Sequence, residues 1–85
     1  MSSRVEFVPS ATKDFSQLEG SFKPRIIKAF DAISLDPALG KPLQGPYHGL
    51  RSCRVGEYRI VYKMDAKQRT VLIYRIGHRR DIYRA

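Results

Sequence analysis

The sequence predicts a small α+β domain: an antiparallel β-sheet, made of an N-terminal strand and a three-stranded meander, with a helical hairpin packed on one face and a short C-terminal helix. Three observations predict it. Residues 4–8 (RVEFV) alternate and are β-rich. Phe22, Ile26, Phe30 and Ile33 step by four, four and three, which is one continuous helical stripe. After residue 49, three strand-like runs follow one another across connections too short for anything but antiparallel hairpins.

Taken in order, residues 4–8 form the first strand, and Pro9-Ser10 break it. Ser10 or Thr12 can cap a helix that runs through Glu19, with Ala11, Phe15 and Leu18 on its apolar side. Gly20-Ser21 interrupts it. The second helix runs from about Ser21 to Leu35, and Pro24 is tolerated because it falls in the first turn. Asp36-Pro37 stops that helix, and residues 38–47 (ALGKPLQGPY) read as a connecting loop. Residues 49–55, 58–64 and 70–76 are the meander strands, joined by Gly56-Glu57 and by a polar turn at 65–69. On the second of these strands, Tyr58, Ile60, Tyr62 and Met64 share one face, and Arg59, Val61 and Lys63 the other. On the third, Leu72, Tyr74 and Ile76 oppose Val71, Ile73 and Arg75. Gly77 is expected to end the sheet, leaving residues 78–84 as a short helix or tail. An isolated first strand would leave its backbone donors unsatisfied, so it must join the sheet at an edge.

Size and composition narrow the class. Eighty-five residues make one domain with a modest core, and 42% hydrophobic content is ordinary for a globular fold. No apolar run approaches the roughly 20 residues that span a bilayer, and the start, MSSRVEFVPS, lacks the apolar core of a signal peptide, so a cytoplasmic address is expected. Cys53 is the single cysteine, which excludes an internal disulfide; in a strand it reads as a small half-buried side chain. His48 and His78 lack metal-ligand spacing, so no metal and no cofactor are expected.

The charge is lopsided. Residues 1–40 balance their acids and bases, so the formal net charge of +8 belongs to residues 41–85. Charge confined to one half makes an electropositive face, whose natural ligand is a polyanion. Arginine-rich strands also occur as plain solvated edges, and strand tyrosines usually pack. Here, however, Arg51, Arg54, Arg59, Arg75, Arg79, Arg80 and Arg84 are interleaved with Tyr58, Tyr62, Tyr74 and Tyr83. Guanidinium groups bind phosphate bidentately and rings stack on unpaired bases, which suits single-stranded RNA better than a DNA groove. For RNA cleavage, arginines can stabilise developing charge but are poor bases; His78 is the side chain best suited to exchange a proton near neutrality, with Tyr83 and His48 weaker candidates.

Two runs carry a family resemblance. Residues 43–64 (LQGPYHGLRSCRVGEYRIVYKM) and 71–83 (VLIYRIGHRRDIY) are similar to the RelE/ParE superfamily of bacterial toxin–antitoxin systems, and to its RelE-like branch in particular. The matching positions are residues 43–45, Leu50-Arg51, 54–56, 58–62 and 77–83, and the strand–helix–helix–meander order extends the likeness over nearly the whole chain. The resemblance implies a toxin that enters the ribosomal A site and cleaves mRNA there by metal-free 2′-OH transesterification. It implies Arg54, Arg59, Arg79 and Tyr83 as functional residues: Arg59 on the scissile phosphate, Arg79 neutralising charge or helping to protonate the leaving oxygen, Tyr83 stacking on a base. His78 joins them as a catalytic candidate, with Arg51, Lys63, Arg75, Arg80 and Arg84 as RNA-binding residues. One departure is visible. The family prototype carries two lysines on the first meander strand, where this chain has Leu50 and Ser52, so Arg51 or Arg54 would position the 2′-OH or His78 would act as base. The resemblance further implies a cognate RelB-like antitoxin, the ribosome with its mRNA as partners, operator DNA reached only through the antitoxin complex, and no membrane. The alternatives are a ParE-like poison of DNA gyrase without ribonuclease activity, and a catalytically weak relative that binds only RNA or its antitoxin.

Overall fold

The computed structural model describes residues 3–78 and Arg80. The chain runs β1 (Arg4–Phe7), α1 (Pro9–Ser16), α2 (Lys23–Leu35), β2 (Lys41–Pro42), a single 3-10 turn (Gly45–Tyr47), β3 (Arg51–Val55), β4 (Tyr58–Asp65) and β5 (Thr70–His78). The strands form one sheet in the order β1-β5-β4-β3-β2. The meander is antiparallel as expected, whereas β1 joins the β5 edge in parallel, so the sheet is mixed. The two helices lie between β1 and the meander in sequence, and their crossover lets β1 run in the same direction as β5.

Both helices cover one face of the sheet. Ile26, Phe30 and Ile33 of α2 are buried with Ala11 of α1 against Ile60, Tyr62, Val71, Ile73 and Ile76, and Phe22 packs at the margin. The stripe read from sequence is therefore the core-facing surface of α2. Both helices are shorter than expected. The residue preceding α1 is Val8, which makes no side-chain cap; Ser10 instead donates its Oγ hydrogen to the Tyr74 carbonyl (3.1 Å). Pro9, pre-set for a first helical position, starts the helix without help. Residues 17–22 turn the chain between helices, with the Phe22 N–H bonded to the Glu19 carbonyl (2.9 Å).

Two features of β5 depart from simple alternation. Val61 pairs with Arg75 and Tyr62 with Ile73, so Tyr74 is an extra, bulged residue. A bulge resets the side-chain phase. Val71, Ile73 and Ile76 therefore all reach the core, where strict alternation places Ile76 opposite the other two. The strand also continues through Gly77, which pairs with Arg59, and His78, which pairs with Tyr58. Gly77 does not end the sheet, because β4 starts at Tyr58 and offers a partner that far. The expected C-terminal helix falls largely outside the described residues; Arg80 has helical backbone.

β1 stops at Phe7, short of the end of β5, and α1 takes over the exposed edge. The Asp14 carboxylate oxygen Oδ2 accepts the Ile76 N–H (2.9 Å) and the Arg75 Nε–H (2.9 Å). A helix side chain thus supplies the acceptor that a neighbouring strand would otherwise provide. Among the described residues, no helix is long and apolar enough to cross a membrane.

Candidate functional site

The sheet face away from the helices carries the candidate site. Alternation puts Ser52 and Arg54 of β3 and Arg59 and Val61 of β4 on this face, and cross-strand pairing sets Arg54 directly opposite Arg59. Opposed residues on neighbouring strands have Cβ atoms about 5 Å apart, and like charges so placed repel. Arg59 also faces Gly77 across the β4–β5 pair, so no side chain crowds it from that direction. Arg54 is exposed, and its Nε–H makes only a long contact with the Gly56 carbonyl (3.4 Å).

Beside this pair lies a groove of about 480 Å³ lined by Leu39, Lys41, Ser52, Cys53, Arg54 and Arg59. It has three cationic side chains and no carboxylate in its lining. Two guanidinium groups and an ammonium held at close quarters match a phosphodiester, whose negative charge would relieve their mutual repulsion. Lys41 is the member that sequence reasoning missed. It stands in the Gly/Pro-rich stretch read as a plain connection, yet residues 41–42 form a two-residue strand that registers Lys41 against Ser52. A basic residue between two glycines and two prolines was the available signal, and only strand pairing shows where it stands.

The remaining candidates are dispersed. Lys63 is exposed on β4 below the bulge, opposite Leu72, farther along the same face. Arg75 is tied to Asp14 at the sheet edge. Arg51 pairs with Tyr62, on the helix side, and its Nη1 donates to the carbonyls of Gly40 (2.8 Å) and Ala38 (3.4 Å). It braces the loop that leads into β2. His78 also stands on the helix side: it pairs with Tyr58, whose ring it meets edge-on at 5.8 Å, and its Nε2 is 3.8 Å from Glu57 Oε2. The structure does not bring His78 together with Arg54 and Arg59. Arg80 is exposed, while Arg79, Tyr83 and Arg84 lie outside the described residues.

Two titratable groups of the sheet are perturbed. Burial pushes the Cys53 thiol above its ordinary range. Burial likewise raises the Tyr62 phenol, opposed in part by the Gly40 N–H that it accepts. A raised thiol holds little thiolate near neutrality, and the thiolate is the nucleophile. Cys53 is therefore expected to react with iodoacetamide at pH 8 at least tenfold more slowly than a free cysteine peptide, and to reach the peptide rate in denaturing urea. Equal rates in the native protein would show that the thiol is open and its proton loosely held.

Comparison with known proteins agrees with this architecture. Residues 5–83 match the family described as ParE toxin of type II toxin-antitoxin system, parDE. Toxin RelG of Mycobacterium tuberculosis is 38% identical over 82 residues, covering 94% of each chain. Toxin RelE of the same organism is 33% identical over 82 residues, covering 94% of this chain and 84% of its own. Among solved structures, the toxin-antitoxin complex RelBE2 from M. tuberculosis contains a chain that superposes with a TM-score of 0.86 at 33% identity, covering 93% of this chain and 100% of that one. The isolated E. coli RelE toxin shares the fold at a TM-score of 0.78 and 18% identity, over 89% and 83% of the two chains. With a matching family model over nearly its full length and relatives above 30% identity, the chain belongs to the RelE/ParE superfamily and is a toxin of a type II toxin–antitoxin system.

Proposed function

We propose that this toxin is a ribosome-dependent endoribonuclease that cleaves mRNA in the A site and so inhibits translation. The observation that carries the reading is the opposed pair Arg54 and Arg59 beside a groove whose charged lining is entirely cationic. In the reaction the 2′-oxygen attacks the adjacent phosphorus, its proton passes to a base, and the 5′-oxygen leaves with a proton. The products are a 2′,3′-cyclic phosphate and a 5′-hydroxyl. Arg59 binds the scissile phosphate and stabilises the charge that grows on it, and Arg54 and Lys41 hold that phosphate and its neighbour. Arg79 and Tyr83, taken from the family resemblance, complete the site by neutralising the leaving group and stacking on a base. The ribosome supplies the mRNA strand in the bent form that in-line attack requires.

The partner proposed is a RelB-like antitoxin, since the relative of TM-score 0.86 is itself part of a toxin-antitoxin complex. An acidic antitoxin segment would find a +8 chain electrostatically attractive and would cover the groove. Operator DNA is then reached through the antitoxin, and the toxin acts in the cytoplasm where ribosomes are.

Primer extension on mRNA bound to ribosomes tests the reading: cuts at the A-site codon are expected with the toxin and absent without it. Lys41→Ala is expected to lower the cleavage rate by about tenfold and to weaken the salt dependence of binding, since one phosphate contact is lost. A cut-free mRNA with a toxin that still arrests growth would overturn the ribonuclease reading. The second reading then applies: the matching family description names ParE toxins, and poisoning of DNA gyrase without RNA cleavage is the activity associated with that branch.

A further inference from the structure

We infer that His78 is a positioning residue that caps the C-terminal segment carrying Arg79 and Arg80, and is not the proton acceptor of the reaction. The argument starts at its ring nitrogens. Nδ1 of His78 accepts the backbone N–H of Arg80 at 3.2 Å. Arg80 has helical backbone, and a side-chain acceptor two residues before a first-turn N–H is the geometry of a helix N-cap. Accepting that bond commits the lone pair of Nδ1 and fixes the tautomer, so the neutral ring carries its proton on Nε2. Nε2 in turn faces the Glu57 carboxylate at 3.8 Å.

The ring is held on its other sides as well. Tyr58 meets it edge-on, and Phe22 of α2 stacks behind Tyr58 with ring centroids 4.2 Å apart. His78 also borders a cleft of about 260 Å³ with Asp14, Gln17 and Leu18 of α1 and Arg75 of β5. The titratable and charged groups around it are therefore Glu57, Tyr58, Asp14 and Arg75, with the Asp14 carboxylate already bound to Arg75 and to the Ile76 N–H. The imidazole stands on the helix side of the sheet, across from the face of Arg54 and Arg59, and what it touches is the backbone that leads to the next two arginines.

Protonation has opposite effects at the two nitrogens. A proton added to Nδ1 removes the acceptor of the Arg80 N–H, while the resulting imidazolium attracts Glu57 more strongly. Acid therefore turns the cap into an ion pair with the turn at Glu57 and releases the segment that follows. Asparagine offers an oxygen close to where Nδ1 stands, is among the best N-cap residues and has no proton to lose. It can replace a cap. It cannot replace a general base.

The test uses His78→Ala and His78→Asn in the full chain, read two ways. Amide exchange and ¹⁵N resonances of the imidazole report the cap without reference to activity. The Arg80 amide is expected to be protected in the wild type and in His78→Asn, to exchange roughly tenfold faster in His78→Ala, and to lose protection on acidification in the wild type alone. Cleavage of ribosome-bound mRNA, which rests on the function proposed above, is expected to fall about tenfold in His78→Ala and to be restored in His78→Asn. The restored variant should also lose the acid-side fall in rate that the wild type shows. Equal Arg80 exchange in all three proteins would overturn the cap. A His78→Asn variant that protects Arg80 yet cleaves no better than His78→Ala would overturn the positioning role and return the imidazole to the chemistry. If the wild type cuts no mRNA at all, the ribonuclease reading alone fails and the amide measurement still decides the cap.

Discussion

Arg59→Ala is expected to lower the single-turnover cleavage rate of ribosome-bound mRNA by about 100- to 1000-fold, the range found when one preorganised donor to a developing oxyanion is removed. Arg59 is opposed to Arg54 on one side and to the bare Gly77 on the other, so a phosphate can reach both guanidinium groups from the open face. Arg59→Lys keeps the charge but loses the planar fork, and should recover only part of the rate. Stability should move little, by less than about 1 kcal/mol, because truncation on this face breaks no core contact and relieves the repulsion with Arg54. Arg4→Ala is the matched control: Arg4 is an exposed arginine on β1, 3.7 Å from Glu6 and remote from the groove. If Arg59→Ala cleaves within threefold of wild type while Arg4→Ala does the same, the opposed arginines are not the catalytic centre.

Tyr62→Phe should be the most damaging single-oxygen deletion for the fold. Tyr62 is fully buried, and its hydroxyl donates to the Pro37 carbonyl (2.8 Å) while accepting the Gly40 N–H (2.8 Å). Removing the oxygen leaves a buried donor and an acceptor unpaired, at about 1–3 kcal/mol each, so a loss of about 2–4 kcal/mol is expected in urea unfolding with an unchanged slope. The damage should reach the site. The same hydroxyl pins the segment 37–40, Arg51 braces it through the Gly40 carbonyl, and Lys41 follows immediately on β2. Packing there leaves no slack: a Cβ on Gly40 would lie 2.7 Å from the Tyr62 hydroxyl and 2.9 Å from the Ser52 carbonyl oxygen. Cleavage by the folded fraction of Tyr62→Phe should therefore fall toward that of Lys41→Ala. A variant of wild-type stability would show that Pro37 and Gly40 find other partners, and would separate the clamp from the site.

Most of the architecture was legible because it depends on local pattern. The stripe of Phe22, Ile26, Phe30 and Ile33 specifies a helix with one buried face whatever it packs against, and the alternation from Tyr58 to Lys63 specifies a half-exposed strand. The concentration of net charge in the second half, with arginines at alternate strand positions, was enough to anticipate a cationic face and to set Arg54 and Arg59 on it. The bulge at Tyr74 was not legible. Nothing in TVLIYRIGH marks which residue is extra, because every side chain there suits a strand, and the choice is made by pairing with β4. The same limit applies to the edge of β5, where Asp14 comes from a helix some sixty positions earlier in the chain.

The sequence by itself determined the class of fold, the helix and strand surfaces that must be buried, and the sign and rough location of the charge. Each of these follows from residue type and periodicity, which are properties of neighbouring positions. Tertiary structure alone decided which cations meet. It opposed Arg54 to Arg59, brought Lys41 to the groove from an unpromising loop, turned Arg51 to the helix side to hold that loop, and set the His78 imidazole against the Arg80 backbone. Strand register and a single bulge fix these meetings, and a shift of one residue in either would send every side chain concerned to the opposite face.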